Sequence, residues 1–274
     1  MPRYKLTIEY AGTRYSGWQI QKNARTVQGE LVRAMGTIQG ARGEVYGAGR
    51  TDAGVHALAQ IAHTDLASAL PPDTLLTRLN DALPADINVL AVERVPARFH
   101  ARHSAVARSY LYQISRRRTA FAKPFVWWVR RDLDIAAMQA AASGFLGLAD
   151  FRSFTDDDPD EKSTRVLVHQ VAVADHGALV LVRVVGSHFL WKMVRRLTGV
   201  LAGVGRGDLA PDAVPALVTS DSALPAELTA PASGLFLERV FYDDPPGTWP
   251  LEPAIACPNV DDEGGRRDQT VSPR

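Results

Sequence analysis

The sequence predicts an α+β protein built from two halves with a similar order of elements. Residues 4–10 alternate large apolar and polar side chains, as a half-buried strand does. Residues 27–38 instead place apolar side chains three and four positions apart, which is the period of an amphipathic helix. Strand-like and helix-like segments then follow one another through both halves, although no sequence repeat relates the two halves.

The first half continues with strands predicted at 43–47, 58–64 and 87–95. A helix is predicted at 73–83, where Pro84 ends it. The resulting order is β-α-β-β-α-β. This order is typical of the ferredoxin-like, or split βαβ, arrangement.

The second half begins with strands predicted at 104–115 and 125–129, and Asp134 is a suitable N-cap for a helix that reaches residue 145. A hairpin is predicted around the turn at 175–177, between strands at 165–174 and 178–185. Two more helices and a last strand are predicted at 189–204, 211–218 and 235–242. We expect the sheets of the two halves to join, with a central cleft between the halves.

These assignments divide the chain into an N-terminal α+β half at 1–104 and a C-terminal α+β half at 105–245. Residues 246–274 are rich in proline, glycine and charge, and are therefore predicted to form a flexible tail. The acidic stretch at 156–161 is predicted to be a solvated connector.

The composition favours a reducing compartment. The 274 residues include one cysteine, Cys257, so no disulfide can form within the chain, and a cytoplasmic location is expected. The N-terminal residues have no apolar signal region and no run of 18 apolar residues occurs, so neither secretion nor a membrane partner is expected.

The charge distribution points to a nucleic acid. Net charge is only +1, but residues 94–131 hold ten Lys or Arg residues, seven aromatic residues and no acid. Arginine binds phosphates through its planar fork and stacks on bases, so this segment suits RNA. A GC-rich coding bias would explain the excess of arginine over lysine in the whole chain, but explains the acid-free segment less well.

The motif GRTDAGVHA, residues 49–57, contains the strongest candidate for chemistry. Asp52 stands among glycines and small residues, and Gly47, Gly49 and Gly54 allow a sharp turn. If the loop is extended, Arg50 and Asp52 point to the same side, and the guanidinium keeps the carboxylate ionised. An ionised carboxylate can act as a nucleophile or a base. The structural alternative is a turn aspartate that bonds its own backbone.

Two other patterns are weaker. His100 and His103 lie three residues apart without an acid or thiolate nearby in sequence, so no metal site is predicted there. The glycine-rich stretch at 199–207 lacks the Gly-Lys-Ser/Thr ending of a phosphate loop, and helix packing explains it better.

Six segments resemble bacterial tRNA pseudouridine synthase A, in the order found in that family. They are IEYAGTRYSGWQIQ (8–21), TVQGEL (26–31), AGRTDAGVHA (48–57), FHARHSAVARSYLY (99–112), FLWKMVRRLTG (189–199) and APASGLFLERVFY (230–242). The resemblance covers about residues 4–243 and implies the pseudouridine synthase fold. It also implies an isomerase that converts uridines 38, 39 and 40 of the tRNA anticodon stem-loop into pseudouridine, as a homodimer without metal or organic cofactor.

The resemblance also implies the roles of four residues. Asp52 corresponds to the catalytic nucleophile, and Arg195 to an arginine beside it. Tyr110, the first tyrosine of the Tyr-x-Tyr pair, corresponds to the residue that contacts the target base. Arg50 belongs to the same site.

Two other function classes stay open at this point. A non-catalytic RNA-binding module would use a ferredoxin-like sheet but would not need Asp52. A nucleosidase would release free uracil, and glycosidases usually need a second carboxylate where this motif has an arginine.

Overall fold

The computed structural model describes residues 1–40, 43–161, 163–243 and 247–258. Within these ranges, no helix is both long and apolar enough to span a bilayer. Ten strands form one mixed sheet, in which the main path runs β4-β1-β3-β10-β5-β9-β8-β7. The short strands β2 and β6 pair with β3 and β5, beside this path.

The N-terminal half has the order that the sequence predicts. Its elements are β1 (Arg3–Tyr10), α1 (Val27–Gln39), β2 (Tyr46–Gly47), β3 (His56–Asp65), α2 (Pro72–Ala82) and β4 (Ile87–Val95). Antiparallel pairing of β1 with both β3 and β4, and of β2 with β3, produces the strand order 4-1-3-2 of the split βαβ arrangement. Thr26 caps α1, since its side chain accepts a hydrogen bond from the Gly29 amide.

The C-terminal half repeats this order with two additional short strands and two additional short helices. Its elements are β5 (Ala107–Ser115), β6 (Trp127–Trp128), α3 (Ile135–Ala142), β7 (Gly147–Asp150), β8 (Arg165–His176), β9 (Leu179–Gly186), α4 (Met193–Gly205), α5 (Val214–Thr219), α6 (Leu224–Glu227) and β10 (Leu235–Phe241). Strands β10, β5, β9 and β8 lie side by side, as the four strands of a second split βαβ unit. The α+β class and the joined sheets are therefore confirmed, whereas β7 and α6 are absent from the sequence prediction.

The two halves join through β10, the last strand of the chain. It pairs in parallel with β3 at Phe236 and Leu237, and antiparallel with β5 on its other side. Because β2 has only two residues, it leaves the start of β3 open for β10. The division at residue 104 stays a prediction, since both halves contribute to one continuous sheet.

Helices α1 to α4 pack against apolar side chains of one sheet face. Alternate residues of β1 (Tyr4, Leu6, Ile8) and of β9 (Val180, Val182, Val184) are fully buried within that core. The four helices therefore leave the opposite sheet face to other parts of the chain.

The segment 247–258 packs against that opposite face, so the prediction of a flexible tail is wrong for these residues. We call this segment the strap. Trp249 and Pro250 accept hydrogen bonds from Arg183 through their carbonyl oxygens at 2.9 and 2.8 Å, and Arg183 forms a buried ion pair with Glu238. Cys257 is buried in a small apolar cluster at the end of the strap. Residues 259–274 of the predicted tail lie outside the described residues.

Candidate active site

The loop between β2 and β3 carries Asp52 and is fixed by backbone hydrogen bonds. The Trp18 amide donates to the Thr51 carbonyl at 3.0 Å, and the Val55 amide donates to the Asp52 carbonyl at 3.1 Å. Gly17 has φ +89°, and a Cβ there would lie 2.5 Å from the Thr51 carbonyl oxygen. The segment before α1 therefore approaches the Asp52 loop as closely as glycine permits.

A buried hydrogen bond between β1 and Thr51 also holds the loop. The Tyr10 hydroxyl lies 2.8 Å from Thr51 Oγ1, and burial raises the pKa of Tyr10 to about 12. Gln60 Nε2 donates to the Gly49 carbonyl at 3.0 Å. These contacts fix the loop on both sides of Asp52. Among the hydrogen bonds of the described residues, none joins the Asp52 carboxylate to its own turn, which is what the structural alternative requires.

Arg195, in the first turn of α4, faces this carboxylate. Its Nη1 lies 3.6 Å from Asp52 Oδ2, and the two side chains are 18% and 30% exposed. The Arg195 Nε donates to the Ala230 carbonyl at 2.7 Å, and the Ala230 amide donates back to the Arg195 carbonyl at 3.1 Å. The guanidinium is thus oriented by the backbone of the segment that leads into β10.

Opposing effects set the charge of Asp52. Burial is the largest effect and raises the pKa of the carboxyl above its usual value. The cationic Arg195 and Lys192 side chains, together with hydrogen bonds from Arg195 and Trp191, act in the opposite direction and favour the carboxylate. Arg195 and Lys192 therefore supply the positive charge that the sequence analysis expected from Arg50.

Arg50 does not lie beside the acid. It is exposed, and its Nε donates to Gln19 Oε1 at 3.2 Å. No ion pair between Arg50 and Asp52 occurs in the structure, although both residues are described. The expected contact between the two side chains is therefore wrong, because the Arg50 side chain turns toward Gln19 instead.

Tyr110 lies in β5 on the helix-covered face and is 8% exposed. The edge of its ring meets the Phe189 ring, with centroids 5.1 Å apart at 87°. Burial raises the pKa of Tyr110, and the nearby Tyr10 hydroxyl and Asp52 carboxylate add to that effect. The phenol is therefore neutral at physiological pH and lies near enough to Asp52 to feel its charge.

Sequence reasoning missed Trp191 and Lys192, which directly precede α4 and lie near Asp52. The Trp191 amide donates to Asp157 Oδ2 at 3.0 Å, and Lys192 Nζ lies 2.6 Å from Asp156 Oδ2. Arg196 also pairs with Asp156. Asp156 is exposed, as expected of a solvated connector, but Asp156 and Asp157 also hold the segment before α4. The available signal was the FLWK sequence at 189–192, in which two aromatic residues and a lysine stand directly before the Met-Val-Arg segment.

The basic segment at 94–131 is not one open surface. Arg116 and Arg131 form ion pairs with Asp175 and Asp208. Arg108 is largely buried and donates to backbone carbonyls, including that of Ala48 at the start of the Asp52 loop. Exposed side chains without such partners among the described residues include Arg98 and Arg102. Exposed arginines of this kind have guanidinium groups that are available to the phosphates of a nucleic acid.

Comparison with known proteins shows which family the sequence matches. Residues 6–104 and 141–243 match the family described as tRNA pseudouridine synthase. The "tRNA pseudouridine synthase A" of Rhodopseudomonas palustris (strain BisA53) is 44% identical over 246 residues, which cover 89% of this chain and all of that protein. Those of Nitrobacter hamburgensis and Moorella thermoacetica are 43% and 39% identical, each over 88% of this chain and all of the relative.

Proposed function

Because the chain belongs to the tRNA pseudouridine synthase A family, and is therefore an isomerase that converts uridine into pseudouridine in tRNA, we propose that it acts on uridines 38, 39 and 40 of the anticodon stem-loop. The observation that carries this proposal at the site is the pairing of Asp52 with Arg195 at 3.6 Å. The choice of uridines rests on the resemblance of the six sequence segments. A pure RNA-binding module has no use for a carboxylate held in this way.

Asp52 is the reacting group in this proposal. Isomerisation breaks the bond between uracil N1 and ribose C1′, which leaves positive character on the ribose and negative charge on the base. Two routes use a carboxylate here. In one, Asp52 attacks C1′, and in the other it removes the 2′ proton to form a glycal. In both, uracil turns over and its C5 bonds to C1′. This step displaces the Asp52 carboxylate from C1′ in the first route, and in the second route Asp52 returns the proton to C2′. C5 then loses its proton and N1 gains one.

Arg195, Tyr110 and Arg50 have separate roles. Arg195 keeps Asp52 ionised in its partly buried position, against the effect of burial. Tyr110 offers its ring face to the flipped uracil. Such stacking contributes about 1–3 kcal/mol, which offsets the cost of unstacking the base. Arg50 lies on the outer side of the same loop and is assigned to the RNA rather than to the acid.

The remaining assignments rest on the family resemblance. We propose that the enzyme works in the cytoplasm as a homodimer, with tRNA as its substrate and with neither metal nor organic cofactor. Exposed arginines such as Arg98 and Arg102 bind the phosphates of the stem. Binding through phosphates and helix shape does not depend on base sequence, which suits an enzyme that modifies three adjacent positions.

Mapping pseudouridine in an unmodified tRNA transcript tests the proposal. The transcript carries uridines at 38, 39 and 40 and is incubated with wild-type protein or with Asp52→Ala. Carbodiimide labelling and primer extension then locate the product. We expect stops at these positions with wild-type protein only. Stops elsewhere would reject the proposed positions but not the isomerase. Release of free uracil would contradict isomerisation.

A further inference from the structure

Trp191 is a large aromatic residue near Asp52 that stays half exposed. Trp191 is 50% exposed, whereas Tyr110 is 8% exposed. Trp191 lies four residues before Arg195, which pairs with Asp52, and two residues after Phe189, which packs on Tyr110. The indole also lies close enough to Asp52 to favour its ionised form, so it borders the acid.

The backbone around Trp191 is held in a strained conformation. Lys192 has φ +62°, in the left-handed region that residues other than glycine rarely occupy. Asp157 accepts a hydrogen bond from the Trp191 amide, and Asp156 pairs with both Lys192 and Arg196. Such strain persists only where surrounding contacts determine it, and here two acids provide those contacts. The backbone that carries the indole is consequently fixed.

One side of the indole is occupied by a cation. Lys192 Nζ lies 4.7 Å from the ring centroid, so the ammonium covers part of one face. Half of the side chain remains exposed, although an indole is costly to leave in water. Proteins that bind unpaired nucleotides combine aromatic rings, which stack on the bases, with cations, which contact the phosphates. Trp191 and Lys192 present both groups side by side.

We propose that Trp191 is a positioning residue that stacks on the nucleobase next to the target uridine. When the target leaves the helical stack, its neighbour loses one stacking partner. The indole replaces that partner and Lys192 lies near the phosphate between the two nucleotides. This inference rests on the tRNA isomerase function, and it holds for any of the three proposed positions.

A second role for Trp191 must be separated from stacking. Its indole N–H lies close enough to Asp52 to favour the carboxylate. Trp191→Phe retains an aromatic face but removes the indole N–H, while Trp191→Ala removes both. Trp128 is a matched control because its ring is also partly exposed and lies under a cation, with the Arg130 guanidinium 5.1 Å from the centroid.

The test uses an anticodon stem-loop RNA with 2-aminopurine directly beside the target uridine, placed on the 5′ side and then on the 3′ side. Full-length protein in an Asp52→Asn background gives a complex without turnover. We expect Trp191→Ala to raise 2-aminopurine emission severalfold at saturation on one of the two sides, because stacking quenches the probe. Trp191→Phe should keep most of the quenching, and Trp128→Ala should keep all of it.

Steady-state kinetics with Asp52 intact provide the second measurement. Trp191→Ala should raise KM about tenfold with kcat within about threefold, and Trp191→Phe should stay within about threefold of wild type in KM. Equal emission for Trp191→Ala and Trp128→Ala on both sides would overturn the proposal. So would a fall in kcat shared by Trp191→Ala and Trp191→Phe at unchanged KM, since that pattern assigns the residue to Asp52 alone. Pseudouridine formation by the wild-type protein tests the isomerase separately.

Discussion

Arg195 binds the Asp52 carboxylate and the Ala230 backbone at the same time. Nη1 lies 3.6 Å from Asp52 Oδ2, while Nε donates to the Ala230 carbonyl at 2.7 Å. The carboxylate comes from the β2–β3 loop, the guanidinium from α4, and the carbonyl from the segment before β10. The acid and its partner are thus positioned by both halves of the sheet at their junction.

Replacing Asp52 with Asn separates chemistry from binding. We expect isomerisation to fall by at least about a thousandfold, because an amide neither attacks C1′ nor removes a proton. Affinity for tRNA should stay within about tenfold, since the side chain keeps its size. Single-turnover assays and filter binding measure the two quantities. A parallel loss of binding would assign Asp52 to docking or folding instead.

Replacing Arg195 with Gln moves the acid limb of the pH–rate profile. Burial raises the pKa of Asp52 and Arg195 opposes that effect, so the Asp52 pKa rises further when the cation is removed. A smaller fraction of the enzyme then carries the carboxylate at a given acidic pH, and activity is lost at higher pH than in wild type. Arg195→Lys, which keeps the charge, should shift the limb less. An unchanged limb in Arg195→Gln would contradict this assignment.

The salt dependence of tRNA binding identifies the arginines that contact phosphates. We expect Arg102→Ala to reduce the slope of log affinity against log salt by about one, the effect of one lost phosphate contact. Arg116→Ala is the matched control, because Arg116 is already paired with Asp175. Titrations at several salt concentrations give the slopes. Equal slopes for the two variants would exclude Arg102 from the RNA surface.

Protonation of His63 should destabilise the fold in mild acid. His63 is 2% exposed, and burial, with the positive groups His100 and Arg3, lowers its pKa to about 4, against the effect of Asp65. The folded pKa lies below the unfolded value, so the stability is fully present above about pH 6.5 and is lost as pH falls toward 4. We expect this loss to be at most about 3 kcal/mol.

Urea unfolding between pH 7 and 4 measures this loss. His63→Asn is the informative variant, because its carbonyl oxygen can replace Nδ1 as acceptor for the Ala101 amide, which donates at 3.2 Å. Asn does not titrate, so the variant should show a flatter dependence on pH. An identical dependence in both proteins would assign the acid sensitivity to other groups.

Removing the strap should destabilise the protein without reaching the active site directly. A chain that ends at Asp243 loses both carbonyl acceptors of Arg183 and exposes its ion pair with Glu238. We expect a loss of roughly 2–4 kcal/mol in the free energy of unfolding, from the lost hydrogen bonds and apolar cover. A chain that ends at Pro258 keeps every described strap contact and is the reference. Equal stability of the two chains would show that the strap contacts contribute nothing.

Much of the fold follows from local side-chain patterns. The predicted strand at 87–95 matches β4, and the hairpin at 165–185 matches β8 and β9 within two residues. Asp52 was singled out from the glycines around it. Such features depend on the near neighbours of each residue, which a sequence displays directly.

Local side-chain patterns account for the two α+β units and the acid-bearing loop, whereas the packing of the whole chain selects the cation that meets that acid. Arg50 is two residues from Asp52, yet bonds Gln19, whereas Arg195 comes from the other half. The strap shows the same limit, since proline-rich composition predicted a tail while Arg183 and Glu238 hold residues 249 and 250 against the sheet. Contacts of this kind depend on strand order and register, which are set by burial across the whole sheet rather than by local periodicity.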